Sequence, residues 1–323
     1  MPRSRPQGPA PIAVRPFGPA DGLAVAAKPG DLPQPAVLPE PAPARSLGPT
    51  LPPLNQVAYI CDRASALVRD LLRQPIDRWD KHDQSPVTTI DLTVDAFLHK
   101  ELRALMPEAG WLSEETADNP DRLSQRWLWV VDPIDGTRSL IAGKPEFVVS
   151  IALVETGVGP HLGVIGNPST GELWSAQVGA GAFDRDGKRL QVRQTWSPDD
   201  ARLLVSRSDM RQSLWEGVAS EAHLKKVGSL AYKMALVASG LYDGHATPTP
   251  RSEWDAAAGA VLLAEAGGIC ADSHGRPLLF NQPRPQYDGF VVASAAAFPA
   301  LLDMARRTSA HWQAFLRSGA ARR

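Results

Sequence analysis

The segment that most constrains this 323-residue chain is an apolar run that leads directly into two carboxylates. Residues 127–131 read Trp-Leu-Trp-Val-Val and predict a buried strand. Residues 132–137 follow at once and read Asp-Pro-Ile-Asp-Gly-Thr, so that Asp132 and Asp135 can reach one cation or two adjacent ones. Pro133 fixes the backbone between them and leaves the Ile134 carbonyl free as a further oxygen ligand. Hard oxygen ligands of this kind predict Mg²⁺ rather than zinc.

The two residues after the carboxylates favour an anionic ligand. Gly136 lets the backbone approach a ligand closely, and Thr137 adds a hydroxyl. If a helix begins after Thr137, its free amide groups would form an anion cradle. Clustered carboxylates repel one another, which again calls for a cation. A strand that ends in an Asp-Pro and Asp-Gly turn is the alternative for this segment taken alone.

Two further segments carry acidic residues beside apolar ones. Residues 111–116 read Trp-Leu-Ser-Glu-Glu-Thr, which places Glu114 and Glu115 after an apolar stretch. Residues 254–259 read Trp-Asp-Ala-Ala-Ala-Gly, which places Asp255 in the first turn of a helix of small residues. Taken alone, Asp255 would also fit a residue that only complements the helix dipole.

Hydrophobic periodicity predicts an α/β protein. Predicted helices cover residues 54–73, 88–106, 209–221, 229–239 and 254–266. Predicted strands cover residues 127–131, 147–154, 162–165, 172–176, 203–206, 223–227, 241–245 and 268–271. Helices first, a β-rich middle and alternating elements at the end indicate a layered α/β/α architecture.

Residues 1–50 differ from the rest of the chain. They are rich in Pro, Ala and Gly and predict a disordered or polyproline-II tail, because they have few large apolar residues to bury. Pro-x-x-Pro spacings leave open a role as a ligand for aromatic grooves. We expect one domain over residues 51–305 and a C-terminal helix or tail over residues 306–323.

Composition excludes several classes of partner. The net charge is −1 and the pI about 6.7, which gives no electrostatic footprint for a nucleic-acid polymer or an anionic membrane. No apolar run reaches 18 residues, so no membrane span is expected. The N-terminus lacks a secretory signal pattern, and we expect a cytoplasmic protein. Cys61 and Cys270 predict two buried, reduced thiols.

The motifs at 132–137 and 254–259 together resemble those of the inositol monophosphatase family. The resemblance covers about residues 54–300 and implies a layered α-β-α-β-α sugar-phosphatase-like fold. It also implies a phosphomonoesterase with two or three Mg²⁺ ions, lithium sensitivity and a possible homodimer.

Residues 81–91, Lys-His-Asp-Gln-Ser-Pro-Val-Thr-Thr-Ile-Asp, are similar to a stretch of the bacterial 3′(2′),5′-bisphosphate nucleotidases. Residues 228–233 resemble their Gly-Ser-Ser-x-Lys region, with Leu230 where a second Ser is usual. The resemblance implies hydrolysis of adenosine 3′,5′-bisphosphate to AMP and phosphate. Inositol 1-monophosphate or another sugar phosphate is the alternative substrate. A non-catalytic scaffold that acts through the Pro-rich tail is the alternative of another class.

The resemblance assigns roles residue by residue. Glu114, Asp132 and the Ile134 carbonyl would hold one Mg²⁺, and Asp132, Asp135 and Asp255 a second. Thr137, oriented by Asp91, would position and help to deprotonate the attacking water, with Glu115 just outside the ligands. The implied catalytic residues are Glu114, Thr137 and Asp91, and the implied substrate-binding residues are Asp135, Gly136, Thr137, Ser206, Lys233 and Asp255. A surface cation and a strand-end hydroxyl are the alternatives for Lys233 and Ser206.

Overall fold

A computed structural model of the protein describes residues 51–81, 85–211 and 219–317. The predicted tail at 1–50 lies outside the described residues, as do residues 82–84 of the segment that starts at Lys81. Within the described ranges, no helix has both the length and the apolar character that crossing a membrane requires.

The helices of the described residues form where apolar residues recur at helical spacing. In α1, for example, Val57, Cys61, Ala64 and Val68 are all buried. The α-helices are α1 (Leu54–Leu71), α2 (Thr89–Leu105), α3 (Thr137–Ile141), α4 (Arg207–Arg211), α5 (Leu230–Ala238), α6 (Glu253–Glu265) and α7 (Phe298–Arg317).

One sheet has six strands in the order β3-β4-β5-β6-β7-β8. Its strands are β3 (Gly110–Ser113), β4 (Trp127–Asp135), β5 (Val148–Glu155), β6 (Gly159–Gly166), β7 (Leu173–Gln177) and β8 (Gly181–Asp184). β3 and β4 run parallel, and the other neighbours in this sheet run antiparallel. A separate antiparallel pair, β1 (Arg78–Asp80) and β2 (Pro86–Thr88), precedes α2.

A second sheet has five strands in the order β10-β9-β11-β15-β13. Its strands are β9 (Leu203–Val205), β10 (Leu224–Lys226), β11 (Gly244–Thr247), β13 (Gly268–Asp272) and β15 (Phe290–Ser294). β12 (Arg251–Ser252) and β14 (Gln286–Tyr287) form a short antiparallel pair.

Helices and sheets alternate in five layers, as the resemblance predicted. α1 and α2 pack on one face of the six-stranded sheet, and α5 and α6 lie between the two sheets. α7 packs on β11 and β15 of the five-stranded sheet. All nine residues of β4 are buried because both faces of its sheet are covered. Trp129 belongs to the core under α1 and α2, whereas Leu128 and Val130 belong to the core around α6.

Several sequence predictions need correction. The predicted helix at 209–221 is helical from Arg207 to Arg211, residues 212–218 lie outside the described part, and Glu221–His223 form a 3-10 helix. The predicted C-terminal helix or tail at 306–323 belongs to a helix that begins earlier, at Phe298, and is described to Arg317. Its residues Leu301, Leu302 and Ala305 pack in a core with the five-stranded sheet. Cys61 is buried, but Cys270 is only half-buried; neither forms a disulfide.

Candidate active site

The two carboxylates of the motif reach one site because β4 is irregular at its end. Asp132 and Asp135 are three residues apart, and on a regular strand such side chains point to opposite faces. The pairing of β4 with β5 shifts its register between Asp132 and Asp135, which gives the strand an irregularity there. Both residues are buried. The bulge, and not the spacing alone, therefore brings both carboxylates into one cluster.

Gly136 provides the turn from β4 into α3. Its φ of +104° is a conformation that favours glycine, and a Cβ atom there would lie 2.8 Å from the Glu146 carbonyl oxygen. α3 begins immediately at Thr137, a helix that the sequence suggested only as the condition for an anion cradle, so the first turn of this short helix adjoins the carboxylates.

Thr137 is held against α2. Its Oγ1 lies 2.8 Å from Asp91 Oδ1 and 3.1 Å from the Ile134 carbonyl oxygen, and it can donate its one proton to either. Asp91 is fixed by the capping box of α2, in which the Thr88 amide donates to Asp91 Oδ2 at 2.8 Å. The start of α2 thereby orients the Thr137 hydroxyl towards the end of β4.

Asp255 completes a cluster with Asp132 and Asp135. Ligand oxygen atoms of the three carboxylates lie within 4.8 Å of one another. Asp255 sits in the first turn of α6, where its Oδ2 accepts a hydrogen bond from the Ser252 amide at 2.9 Å. Asp255 thus caps its helix and also belongs to the carboxylate cluster. A role at the helix N-terminus and a role as a metal ligand are therefore compatible for this residue.

The cluster is suited to a hard divalent cation. Asp132 Oδ1 accepts a hydrogen bond from the Ile134 amide at 3.0 Å, whereas Asp132 Oδ2 is buried without a hydrogen-bond partner among the described residues. A buried carboxylate oxygen without a partner is costly, and a cation would supply one. The donor set is entirely oxygen, which fits Mg²⁺.

The raised pKa values of the clustered carboxyls also favour a bound cation. Burial raises the pKa of Asp132 well above its usual range, and the charges of Glu114, Asp135 and Asp255 raise it further. Burial, then Asp135 and Glu114, raise the pKa of Asp255 to about 7. Burial also raises the pKa of Asp135, against hydrogen bonds from Ser229 Oγ at 2.7 Å and the Ala231 amide at 2.6 Å. A bound cation would favour the ionised form of every one of these carboxyls.

Lys81 connects the second acidic pair to the site. Its Nζ lies 3.0 Å from Glu114 Oε1 and 2.7 Å from Glu115 Oε1. Burial raises the pKa of Glu114, and the Lys81 ammonium opposes that shift. Burial raises the pKa of Glu115 to about 7. The charge of Glu114 also raises the pKa of Asp132. In this structure the Glu114 carboxylate is paired with the Lys81 ammonium.

Lys233 is buried instead of lying on the surface. It is 3% exposed, and its Nζ donates to Ser206 Oγ and to the Val227 carbonyl, both at 3.3 Å. The start of α5 adjoins the carboxylate cluster, because the Ala231 amide donates to Asp135 Oδ2 at 2.6 Å. Burial lowers the pKa of Lys233 to about 8, and the charges of Asp135 and Asp255 oppose that shift. The structure thus brings together the predicted residues Asp91, Glu114, Asp132, Ile134, Asp135, Gly136, Thr137, Ser206, Lys233 and Asp255.

Three features of the site were not assigned a role from the sequence. Ser229 fixes Asp135 through its hydroxyl and adopts a left-handed φ of +56°, a strained conformation for a serine. Arg251, on β12, acts electrostatically on both Asp135 and Asp255. Arg207 pairs with Glu146, and the same carboxylate accepts a hydrogen bond from the Gly228 amide at 2.9 Å, just before Ser229. The Gly-Ser sequence before α5 was the one available signal for Ser229.

Comparison with known proteins agrees with this geometry. The sequence model of the inositol monophosphatase family matches residues 53–305. A 3′(2′),5′-bisphosphate nucleotidase CysQ of Aggregatibacter actinomycetemcomitans is 34% identical over 256 residues, covering 76% of this chain and 94% of the relative. A histidinol-phosphatase of Chlorobaculum parvum is 32% identical over 236 residues, covering 71% of this chain and 89% of the relative.

Solved structures share the fold. An IMPase of Thermotoga maritima superposes with a TM-score of 0.70 at 25% identity, covering 79% of this chain and 97% of the other. The extragenic suppressor protein suhB of Bartonella henselae gives a TM-score of 0.66 at 25% identity, with the same coverage of 79% and 97%.

Proposed function

The chain belongs to the inositol monophosphatase family and is a phosphoric monoester hydrolase, and we propose that it hydrolyses adenosine 3′,5′-bisphosphate to AMP and phosphate with Mg²⁺. One observation carries the proposal of metal-assisted hydrolysis. Asp132, Asp135 and Asp255 converge within 4.8 Å, and a buried oxygen of Asp132 has no hydrogen-bond partner in the described part of the chain.

The metal ligands follow from the site. Asp132, Asp135 and Asp255 would hold one ion, and Glu114, Asp132 and the Ile134 carbonyl another. Mg²⁺ supplies two effects when bound, since it lowers the pKa of a water and offsets the charge of phosphate oxygens. Lys81 pairs with Glu114 through Oε1, so an ion bound there would compete with the ammonium for that oxygen.

Thr137 is proposed to receive the attacking water. Its Oγ1 has lone pairs that can accept a water proton in a hydrogen bond, while its own proton is donated to Asp91. Asp91 is buried, and its other oxygen is fixed by α2, so the pair is positioned before substrate binds. Alignment of this kind lowers the entropic cost of attack. The first turn of α3 and Gly136 would face the phosphate.

The substrate proposal depends on the cations beside the cluster. Lys233 can donate three protons, and two of them have neutral acceptors, Ser206 and Val227. The third is available for an anionic group next to the reacting phosphate. Arg251 adds positive charge on the same side. A substrate with a second phosphate suits this arrangement, and the CysQ relatives are named for such a substrate.

A sugar phosphate is the second candidate substrate. A relative named as a histidinol-phosphatase is nearly as similar as the nucleotidases, at 32% against 34% identity, and its name refers to a monophosphate ester that is neither a bisphosphate nor a sugar phosphate. An IMPase of known structure is 25% identical. Release of phosphate from adenosine 3′,5′-bisphosphate and inositol 1-monophosphate, measured side by side, distinguishes the two candidates. The substrate with the higher kcat/KM identifies the preferred class.

Metal dependence is the first prediction. EDTA should abolish phosphate release and Mg²⁺ should restore it, because the reaction needs a cation that activates a water and offsets the charge of the phosphate oxygens. Asp135→Asn should lower kcat at least 100-fold by removing a ligand, on the order expected for loss of a key electrostatic group. Asp186→Asn, at an exposed position, is the matched control. Full activity in excess chelator would exclude the metal-assisted mechanism.

From the resemblance we also propose two or three bound Mg²⁺ ions, inhibition by lithium, a cytoplasmic location and a homodimer. Calorimetric titration with Mg²⁺, a lithium inhibition curve, cell fractionation and light scattering measure these four properties in turn.

A further inference from the structure

Glu114 and Glu115 lie in a segment that the backbone itself holds only loosely. They follow β3 and belong to no helix or strand. The Glu114 amide donates to the Val131 carbonyl oxygen and the Glu115 amide to Ser113 Oγ, both at 3.4 Å, which is long for a hydrogen bond. The position of these two carboxylates therefore depends on contacts made by side chains.

Asp95 of α2 contacts the residues on both sides of this acidic pair. Its Oδ1 accepts a hydrogen bond from Ser113 Oγ at 2.5 Å, and its Oδ2 accepts one from Thr116 Oγ1 at 2.6 Å. Ser113 directly precedes Glu114, and Thr116 directly follows Glu115. Asp95 is buried, and hydrogen bonds to an ionised acceptor are stronger than those between neutral groups. Asp95, Ser113 and Thr116 thus form a clamp around the acidic pair.

The hydroxyl groups of the clamp each make two hydrogen bonds. An ionised carboxylate can only accept, so both hydroxyls donate to Asp95. Their lone pairs serve other donors, since Ser113 Oγ accepts from the Glu115 amide and Thr116 Oγ1 accepts from Trp111 Nε1 at 3.3 Å. Loss of the Asp95 carboxylate would free both hydroxyls to rotate and would weaken these contacts as well.

The clamp is built on the helix that also orients Thr137. Asp91 and Asp95 are one turn apart on the buried face of α2, and α2 packs on β4. Like charges at this spacing repel one another, and the hydrogen bonds to each carboxylate offset that repulsion. Thr137 Oγ1 lies 2.8 Å from Asp91, whereas Ser113 and Thr116 donate to Asp95. One helix is therefore a common support for the residue after β4 and for the acidic pair.

We propose that Asp95 is a positioning residue that, through Ser113 and Thr116, holds Glu114 where it can bind Mg²⁺. The inference rests on the proposed function, in which Glu114 is a ligand of one of two ions. It requires no contact of Asp95 with the metal or the substrate. Groups that orient the ligands of a metal commonly contribute about 10- to 100-fold to its affinity.

Loss of the clamp should weaken the binding of one ion and spare the other. Asp95 acts on the segment of Glu114, whereas the second ion is proposed to bind Asp132, Asp135 and Asp255. Those three residues lie on β4 and α6 and have hydrogen bonds of their own. A general loss of structure would instead weaken the binding of both ions alike.

The first test is calorimetric titration of the protein with Mg²⁺ alone, which needs no turnover. In Asp95→Ala we expect the dissociation constant of one ion to rise about 10- to 100-fold and that of the other to change less than about threefold. Asp95→Asn keeps one acceptor oxygen and should have an intermediate effect. Unchanged dissociation constants in Asp95→Ala, or equal increases for both ions, would overturn the inference.

Variants of the two hydroxyl residues test whether Asp95 acts through the clamp. Ser113→Ala and Thr116→Val each remove one hydrogen bond and should each raise the same dissociation constant, by about threefold or more. With both hydroxyls absent, Asp95→Ala should add less than about a twofold change. A further tenfold rise would show that Asp95 acts by another route. If Asp95→Ala does not fold, the two single hydroxyl variants decide, and normal Mg²⁺ binding by both overturns the inference.

Asp272→Ala is the matched control. Asp272 is also a buried carboxylate with several hydrogen bonds, which come from His274 and Arg276 of the following turn. Thermal unfolding should show a lower Tm for both variants, but Asp272→Ala should leave both Mg²⁺ dissociation constants unchanged. A comparable weakening of Mg²⁺ binding in Asp272→Ala would show that Asp95 matters only for stability.

Steady-state kinetics gives a second readout. The Mg²⁺ concentration for half-maximal kcat should rise about 10-fold in Asp95→Ala, whereas the KM for adenosine 3′,5′-bisphosphate at saturating Mg²⁺ should stay within about twofold. A raised KM at saturating Mg²⁺ would contradict a role confined to the metal ligand. Weaker Mg²⁺ binding by Asp95→Ala, in a protein that releases no phosphate, supports the inference and refutes the proposed function. Unchanged Mg²⁺ binding, in a protein that does release phosphate, refutes only the inference.

Discussion

At the residue scale, the site contains buried polar atoms that lack a hydrogen-bond partner among the described residues. Asp132 Oδ2 and Asp209 Oδ2 are both buried without hydrogen-bond partners in the described residues. Folded proteins pair most buried polar atoms, so such exceptions commonly mark places where an ion or ligand binds. Of the buried atoms without partners among the described residues, Asp132 Oδ2 is the one that lies in the carboxylate cluster to which metal binding is assigned above.

Lys233 gives the sharpest prediction at this scale. Lys233→Ala should raise the KM for adenosine 3′,5′-bisphosphate about 10- to 100-fold, which corresponds to the roughly 1.5–3 kcal/mol of a hydrogen bond to a charged group. Such a contact binds ground state and transition state alike, so kcat should change little. Steady-state kinetics with inositol 1-monophosphate should show a far smaller effect, because that substrate has one phosphate.

Lys225→Ala removes an exposed lysine of β10 and is the control for a general loss of positive charge. Thermal unfolding of both variants checks that the fold survives the loss of a buried side chain. Small and equal effects of Lys233→Ala on the two substrates would argue against the bisphosphate contact and for a sugar phosphate.

At the element scale, close packing of β6 on α6 positions Asp255. Gly163 of β6 lies so close to α6 that a Cβ atom would be 2.7 Å from the Ala258 carbonyl oxygen and 2.8 Å from its Cα. The small residues of α6, Ala256, Ala257 and Ala258, are all fully buried. Small side chains on both elements therefore allow the helix that carries Asp255 to approach the sheet that carries Asp132.

Gly163→Ala tests this packing. The new methyl group contacts backbone atoms of Ala258, which cannot relieve the contact by a side-chain rotation. Overpacking should therefore lower the free energy of unfolding by about 1–3 kcal/mol. We expect a decrease in Tm of about 2–10 °C by calorimetry, together with reduced kcat because α6 shifts. Gly157→Ala, in the turn before β6, has open space around its Cβ but a φ of +78°, so it measures the cost of backbone strain without a clash. A Gly163→Ala variant as stable as the unaltered protein would contradict the packing account.

At the scale of the whole molecule, the raised pKa values couple stability to pH and metal. Asp255 and Glu115 titrate near pH 7 in the folded state, and carboxyls in an unfolded chain titrate near pH 4. The folded state therefore binds protons more tightly than the unfolded state does. Without metal, these groups lower the free energy of unfolding as pH rises from about 4 through about 7.

Bound Mg²⁺ should reverse this trend by stabilising the ionised carboxylates. We expect the increase in Tm caused by Mg²⁺ to be larger at pH 8 than at pH 5, by about 5 °C or more, since 1 kcal/mol corresponds to roughly 2–4 °C in a domain of this size. Scanning calorimetry in EDTA and in Mg²⁺ at the two pH values measures the difference. An equal increase at both pH values would show that the carboxylates do not bind the ion.

The sequence by itself determined the elements whose signals are local. The apolar run at residues 127–131 predicted a buried strand, which is the start of β4. The periodicity of residues 54–73 and 88–106 predicted α1 and α2 almost to their ends. The acidic motifs and their resemblance to a known family predicted the fold that the structure shows. These predictions succeeded because hydrophobic periodicity and turn chemistry depend on neighbours within a few residues.

Only the tertiary structure decided how those residues meet. The bulge between Asp132 and Asp135 depends on pairing with β5, and the strained Ser229 that fixes Asp135 lies 94 positions away in sequence. The burial of Lys233 depends on α5 packing against β4, β11 and β15. Charge, burial and pKa are set by groups distant along the chain, because electrostatic interactions act through space and not along the sequence.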